Sequence, residues 1–225
     1  MCIRDRWGTK SGPNVQFFAI LDATARLHPD EWVLYAEPDT VPVGPDAARH
    51  LRAAVADHPD AWVIGAYPHP LVAPSVPPDL RHHLNGAALY RVGDPRFGEF
   101  RTGVWIPSLL DRIRHDPEFA YDCVTDPAQW SRLPAPLAAA WRDHAERFVA
   151  SAGIVNASTL TLTPESVTDV LTAPDLMADL DHEGVRPWLL HAKGPVLEAA
   201  RAPAPGTYEH VWGDLVEALG AAGRV

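Results

Sequence analysis

Cysteine is almost missing from this chain: Cys2 and Cys123 are the only two. They offer no disulfide framework and no paired-thiol metal spacing, and they require no oxidising compartment. No apolar run is long enough to span a bilayer, and residues 1–6 contain no apolar stretch of the signal-peptide kind. A soluble, cytoplasmic protein is therefore expected. Positive charge is scarce as well. The formal net charge of −10 argues against a general nucleic-acid surface, although a polyanionic ligand can bind where cations are concentrated locally. Two residue types are rarer still. Lysine occurs only at Lys10 and Lys193, while the other 17 basic residues are arginine, and asparagine occurs only at Asn14, Asn85 and Asn156. A compact ammonium and a planar guanidinium are not interchangeable at a tight phosphate site, so a retained lysine in an arginine-rich chain marks a candidate position.

What is present reads as one α/β domain over residues 1–225, long enough for a sizeable core. Asn14 is expected to cap a helix over 15–27. Residues 32–36 (WVLYA) form a short continuous apolar run, the pattern of a strand buried on both faces. Pro38 cannot donate to a central ladder, so that strand must stop there. Gly44-Pro45 opens a helix with Ala47, Leu51, Ala54 and Val55 as its apolar stripe. Residues 62–66 predict a second buried strand. A loop over 67–78 then carries five prolines, stiff enough to wall a site.

A third strand is expected over 85–90, and a helix near 107–114. The stretch 126–140 reads as a connection rather than core. One or two strands are expected in 154–162, and a helix from Pro164. A last strand over 187–191 precedes a helix whose stripe includes Tyr208, Trp212 and Leu219. Alternating strands and helices predict a mostly parallel sheet flanked by helices.

The chemistry concentrates at strand ends. Glu37-Pro38-Asp39 sets two carboxylates directly after a strand, where open α/β sheets bind ligands. Mg2+ and Mn2+ favour few protein carboxylates completed by phosphate oxygens and water. As spacing alone, the triplet is equally at home in a solvated turn. His191-Ala192-Lys193 also follows a strand, pairing a potential metal ligand with a cation able to neutralise a diphosphate. A carboxylate and imidazole set tilts the metal toward Mn2+. Asp122, set among apolar Tyr121, Cys123 and Val124, is the better of two acids in 121–126 for a general base, because such surroundings raise a carboxyl's pKa. The other is Asp126. Either acid is also a natural capping group for a turn.

In combination these segments resemble the GT-A glycosyltransferases. Residues 32–43 (WVLYAEPDTVPV) look like the family's strand and Asp-x-Asp-type motif, with Glu in place of the first Asp. Residues 83–91 (HLNGAALYR) are similar to the strand lining the donor and acceptor pocket in related bacterial and algal enzymes. Residues 190–194 (LHAKG) resemble the C-terminal His-x-x-Lys-type element with one residue fewer, and 8–18 (GTKSGPNVQFF) the segment and helix before the metal strand.

The resemblance implies a GT-A-like (Rossmann-like) fold, a nucleotide-sugar donor and an acceptor that is carbohydrate, lipid or protein. Asp39 and His191 would hold Mn2+ or Mg2+, and Lys193 would stabilise the departing nucleoside diphosphate. Asp122 would be the catalytic carboxylate. Lys10, Asn14, Glu37, His83, Asn85 and Gly86 would contact substrate. No nucleic acid and no transmembrane segment are expected. Residues 1–6 (MCIRDR) resemble translated sequencing-adapter read-through, so a non-native leader is expected there, along with the loss of the family's first nucleotide-binding strands. A metal-dependent phosphoesterase and a non-catalytic carbohydrate-binding remnant are the alternative readings.

Overall fold

A computed structural model describes residues 10–29, 31–37, 40–42, 47–69, 76–156 and 189–191. Asp39, Lys193, the leader expected at 1–6, residues 70–75 of the proline loop, and the helices expected from Pro164 and around Trp212 lie outside them. Helix α1 (Ser11–Leu27) leads into β1 (Val33–Tyr35), β2 (Thr40–Pro42), α2 (Ala47–Asp57) and β3 (Val63–Gly65). After β4 (Ala88–Tyr90) come α3 (Pro95–Phe100), a π-helical turn (Arg101–Trp105) and α4 (Ile106–Arg112), which run on as one helical rod. Next are α5 (Pro127–Trp130), α6 (Ala135–Asp143), β5 (Phe148–Ala150), β6 (Ile154–Asn156) and β7 (Leu189–His191). The chain is α/β, as expected.

The pairing differs from the expected mostly parallel sheet. Four strands lie in the order β1-β4-β3-β5 and three in the order β2-β7-β6. Among the described residues β1–β4, β3–β4 and β2–β7 pair antiparallel, while β3–β5 and β6–β7 pair parallel. The reason is the placement of β4. It runs between β1 and β3 against both, so β1, β3 and β5 share one direction and a single reversed strand converts two neighbour pairs to antiparallel. Periodicity reports burial, and strand direction leaves no mark in it. β1 is half-buried rather than buried on both faces, because it forms the edge of its sheet.

The four-stranded sheet separates two apolar layers. Side chains alternate along each strand: Val63, Ala88 and Tyr90 face one layer, Ile64 and Leu89 the other. The first layer is rich in aromatics, with Phe17, Trp62, Phe97, Trp105 and Trp141 all fully or nearly buried. The second packs Ala47, Leu51 and Ala54 of α2, the stripe expected from sequence, together with Ile154 and Leu189.

Two further differences have local causes. Residues 126–140, expected as a connection, contain α5 and the start of α6 and bury Gln129, Trp130, Leu133 and Ala138. Pro127 and Pro136 stand in the first turns of these helices, where a missing N–H costs nothing. The helix expected near 107–114 begins instead at Pro95. Pro107 cannot bond back to Gly103, and the π turn ending at Trp105 widens the ladder just ahead of it.

Candidate functional site

Two buried polar groups meet at Gly86, and one turn suspends the first of them. The backbone N–H groups of His82, Leu84 and Gly86 donate to Asp126 Oδ2 at 2.7 Å, Thr125 Oγ1 at 2.7 Å and Asp122 Oδ2 at 3.2 Å. A single turn over 122–126 thus satisfies all three donors. Of the adjacent histidines, His82 is exposed and His83 buried. Asp126 also caps α5, accepting from Ala128 N at 2.9 Å, which makes it a structural acid.

Asp122 is different. Its carboxyl accepts from Gly86, lies 4.0 Å from His83 Nε2, and has 11% of its side chain exposed against 1% for His83. Burial raises its pKa above the ordinary value; His83 opposes that shift and the Glu37 carboxylate adds to it. The His83 ring contacts the Leu80 carbonyl through Nδ1, while Nε2 has no hydrogen-bond partner. His83 therefore stands behind Asp122, away from the surface where a sugar contact was expected.

The second group is built on the short sheet. Thr40 and Asn156 are the register partners of His191 on its two sides, so all three side chains lie on one face, and all are buried. His191 Nδ1 is 3.2 Å from Asn156 Oδ1, and Nε2 is 3.5 Å from Glu37 Oε2. A proton on Nδ1 would donate to that amide oxygen and leave Nε2 facing the carboxylate, the orientation a metal-binding imidazole needs. One imidazole and one carboxylate fit Mn2+ or Mg2+ when ligand oxygens complete the shell. Among the described residues no three His, Cys, Asp or Glu side chains converge as a metal-holding group. The expected ligand Asp39 lies outside those residues, next in sequence to Thr40.

Tyr121 joins the two groups. Its hydroxyl donates to Glu37 Oε1 at 3.3 Å, and a Cβ placed on Gly86 would lie 1.8 Å from that hydroxyl oxygen. Only glycine allows this approach. Tyr90 donates to the Gly86 carbonyl at 2.8 Å. Burial pushes both phenols well above their ordinary pKa, so they remain donors.

Asn14 was expected as a helix cap and substrate contact. It lies inside α1, fully buried, accepting from Tyr121 N at 2.8 Å and donating to the Phe119 carbonyl at 3.2 Å. It fixes the segment that carries Asp122. Lys10 is exposed at the start of α1, and Asn85 is buried, taking the Ala87 N–H at 2.9 Å. Sequence reasoning missed Tyr121, Thr40 and Asn156 as members of the site. For Asn156 a signal existed, since it is one of only three asparagines, and all three are buried. No helix among the described residues is long and apolar enough to cross a membrane. No protein-family model, curated protein or solved structure matches this chain.

Proposed function

We propose that this chain is a metal-dependent glycosyltransferase with a GT-A-like fold, transferring a sugar from a nucleotide-sugar donor to an acceptor hydroxyl. The observation that carries this reading is the junction at Gly86. It sets a nearly buried carboxyl of raised pKa (Asp122) beside a carboxylate–imidazole pair (Glu37 and His191) through Tyr121. In this reading Asp122 accepts the proton of the attacking hydroxyl. Tyr121 fixes Glu37, and Asn156 holds the His191 ring. Lys193 and Asp39, expected on the donor side from the sequence resemblance, lie outside the described residues. Glu37 and His191 would hold Mn2+ or Mg2+, which would supply charge neutralisation for the donor diphosphate.

The test is thermal stability of the full chain with Mn2+, nucleoside diphosphates (UDP, GDP, ADP) or both, followed by hydrolysis of the corresponding nucleotide sugars. Ligand at about 100 times its Kd stabilises by about 2.7 kcal/mol, a readable shift in Tm. The expected outcome is a shift that needs metal and nucleotide together and is lost in His191→Ala and in Glu37→Gln. If no nucleotide moves the transition with metal present, the donor assignment fails.

A further inference from the structure

We propose that His83 and Asp122 act as a single acid–base unit that takes up one proton between them, with His83 the positioning residue behind the Asp122 carboxyl. The role in transfer rests on the reading above; the sharing of the proton does not. Three observations support it. The Nδ1 contact with the Leu80 carbonyl requires a donor on that nitrogen, because a carbonyl only accepts, and this leaves Nε2 of the neutral ring with its lone pair. Nε2 is buried and has no hydrogen-bond partner, which is costly unless a partner is supplied during function. The acid paired with it is Asp122, whose Oδ2 lies 4.0 Å away, an ion-pair separation longer than a hydrogen bond. Catalytic hydrogen bonds are often long before the ligand arrives.

The exposure gradient assigns the order. Asp122 reaches the surface with 11% of its side chain and His83 with 1%, so the acid meets the acceptor and the imidazole does not. In the transfer step the acceptor O–H bond breaks and its oxygen bonds the anomeric carbon. The anomeric carbon–phosphate oxygen bond breaks with its electron pair leaving on the nucleoside diphosphate. The acceptor proton passes to the Asp122 carboxylate and on to the Nε2 lone pair of the neutral His83 ring, so the pair starts without a shared proton and ends with one. Among the described residues the remaining titratable groups around Asp122 are Glu37, the phenols of Tyr35, Tyr90 and Tyr121, and the Cys123 thiol. The phenols and the thiol are all pushed upward, primarily by burial, which keeps them protonated and out of the exchange.

Nuclear magnetic resonance on the full chain tests the proposal without any ligand. The nitrogen shifts of neutral His83 should show the proton on Nδ1. The Asp122 carboxyl carbon and the His83 ring should follow the same two inflections on titration, because strongly coupled groups titrate as a pair. In His83→Gln the Asp122 midpoint should rise by about one pH unit or more, since the opposing imidazole is gone. A Glu37→Gln variant should lower that midpoint and leave the shared inflections in place. A proton on Nε2, or independent single inflections in the wild-type chain, overturns the proposal whether or not His83→Gln folds. Shared inflections without turnover of any nucleotide sugar would leave the proton-sharing unit standing and remove the glycosyl-transfer reading.

Discussion

At position 86 the absence of one methyl group decides how close Tyr121 comes to the backbone. The Tyr121 ring stacks on Phe17 with centroids 3.8 Å apart and planes 10° from parallel, so it has little freedom to withdraw. Gly86→Ala would set a Cβ 1.8 Å from the Tyr121 hydroxyl oxygen and 2.7 Å from Cζ. Overpacking of this kind costs about 1–3 kcal/mol, which denaturant unfolding would read directly. In a Tyr121→Phe background the same substitution should cost less, because the nearest atom has gone. Asp122 gives a second expectation at this scale. Its pKa is higher folded than unfolded, so the folded chain binds the extra proton between those two values. Its contribution to stability is present below the ordinary carboxylate value and is lost as pH rises through the folded one. Asp122→Asn does not titrate and still accepts from Gly86. Its stability relative to wild type should therefore increase from pH 3 toward neutrality, as urea midpoints at several pH values would show; a flat difference would refute the raised pKa.

Elements are held to one another by a few long-range polar ties. Asn14 ties α1 to the segment before Asp122, and the 122–126 turn carries the segment 82–86. Asn14→Ala strips a partner from the Phe119 carbonyl and the Tyr121 N–H, both in the interior. Each group left unpaired costs roughly 1–3 kcal/mol. Lys10→Ala, at an exposed position on the same helix, should stay within about 0.5 kcal/mol of wild type. Paired melting curves would separate the two rare residues, which composition alone treats alike. If both were neutral, α1 would not be positioning the Asp122 segment.

Across the whole molecule, the sheet both joins and insulates its two apolar layers. Leu51 of α2 lies in one layer and Leu109 of α4 in the other, at 4% and 0% exposure. Truncating either to alanine should cost about 2–5 kcal/mol. Because they belong to separate clusters, the double variant should equal the sum of the two within about 0.5 kcal/mol. One cooperative transition is expected throughout, since both layers pack on the same four strands. Two resolved transitions in denaturant would show that the layers unfold separately.

The sequence by itself determined the local elements. Apolar runs placed β1, β3 and β4, and the 3.6-residue stripe placed α2, because burial pattern acts over a few residues. It also marked the scarce asparagines, whose neutral amides suit buried positions where aspartate would carry an unpaired charge. Tertiary structure alone decided that β4 runs against its neighbours, that Asn14 leaves the helix cap for the interior, and that His83 lies behind Asp122. It also brought His191 to Glu37 and Tyr121 to Gly86. These are contacts between segments far apart in the chain, selected by which arrangement of all the layers buries the most apolar surface and leaves the fewest polar groups unpaired. Periodicity within a segment carries no record of that choice.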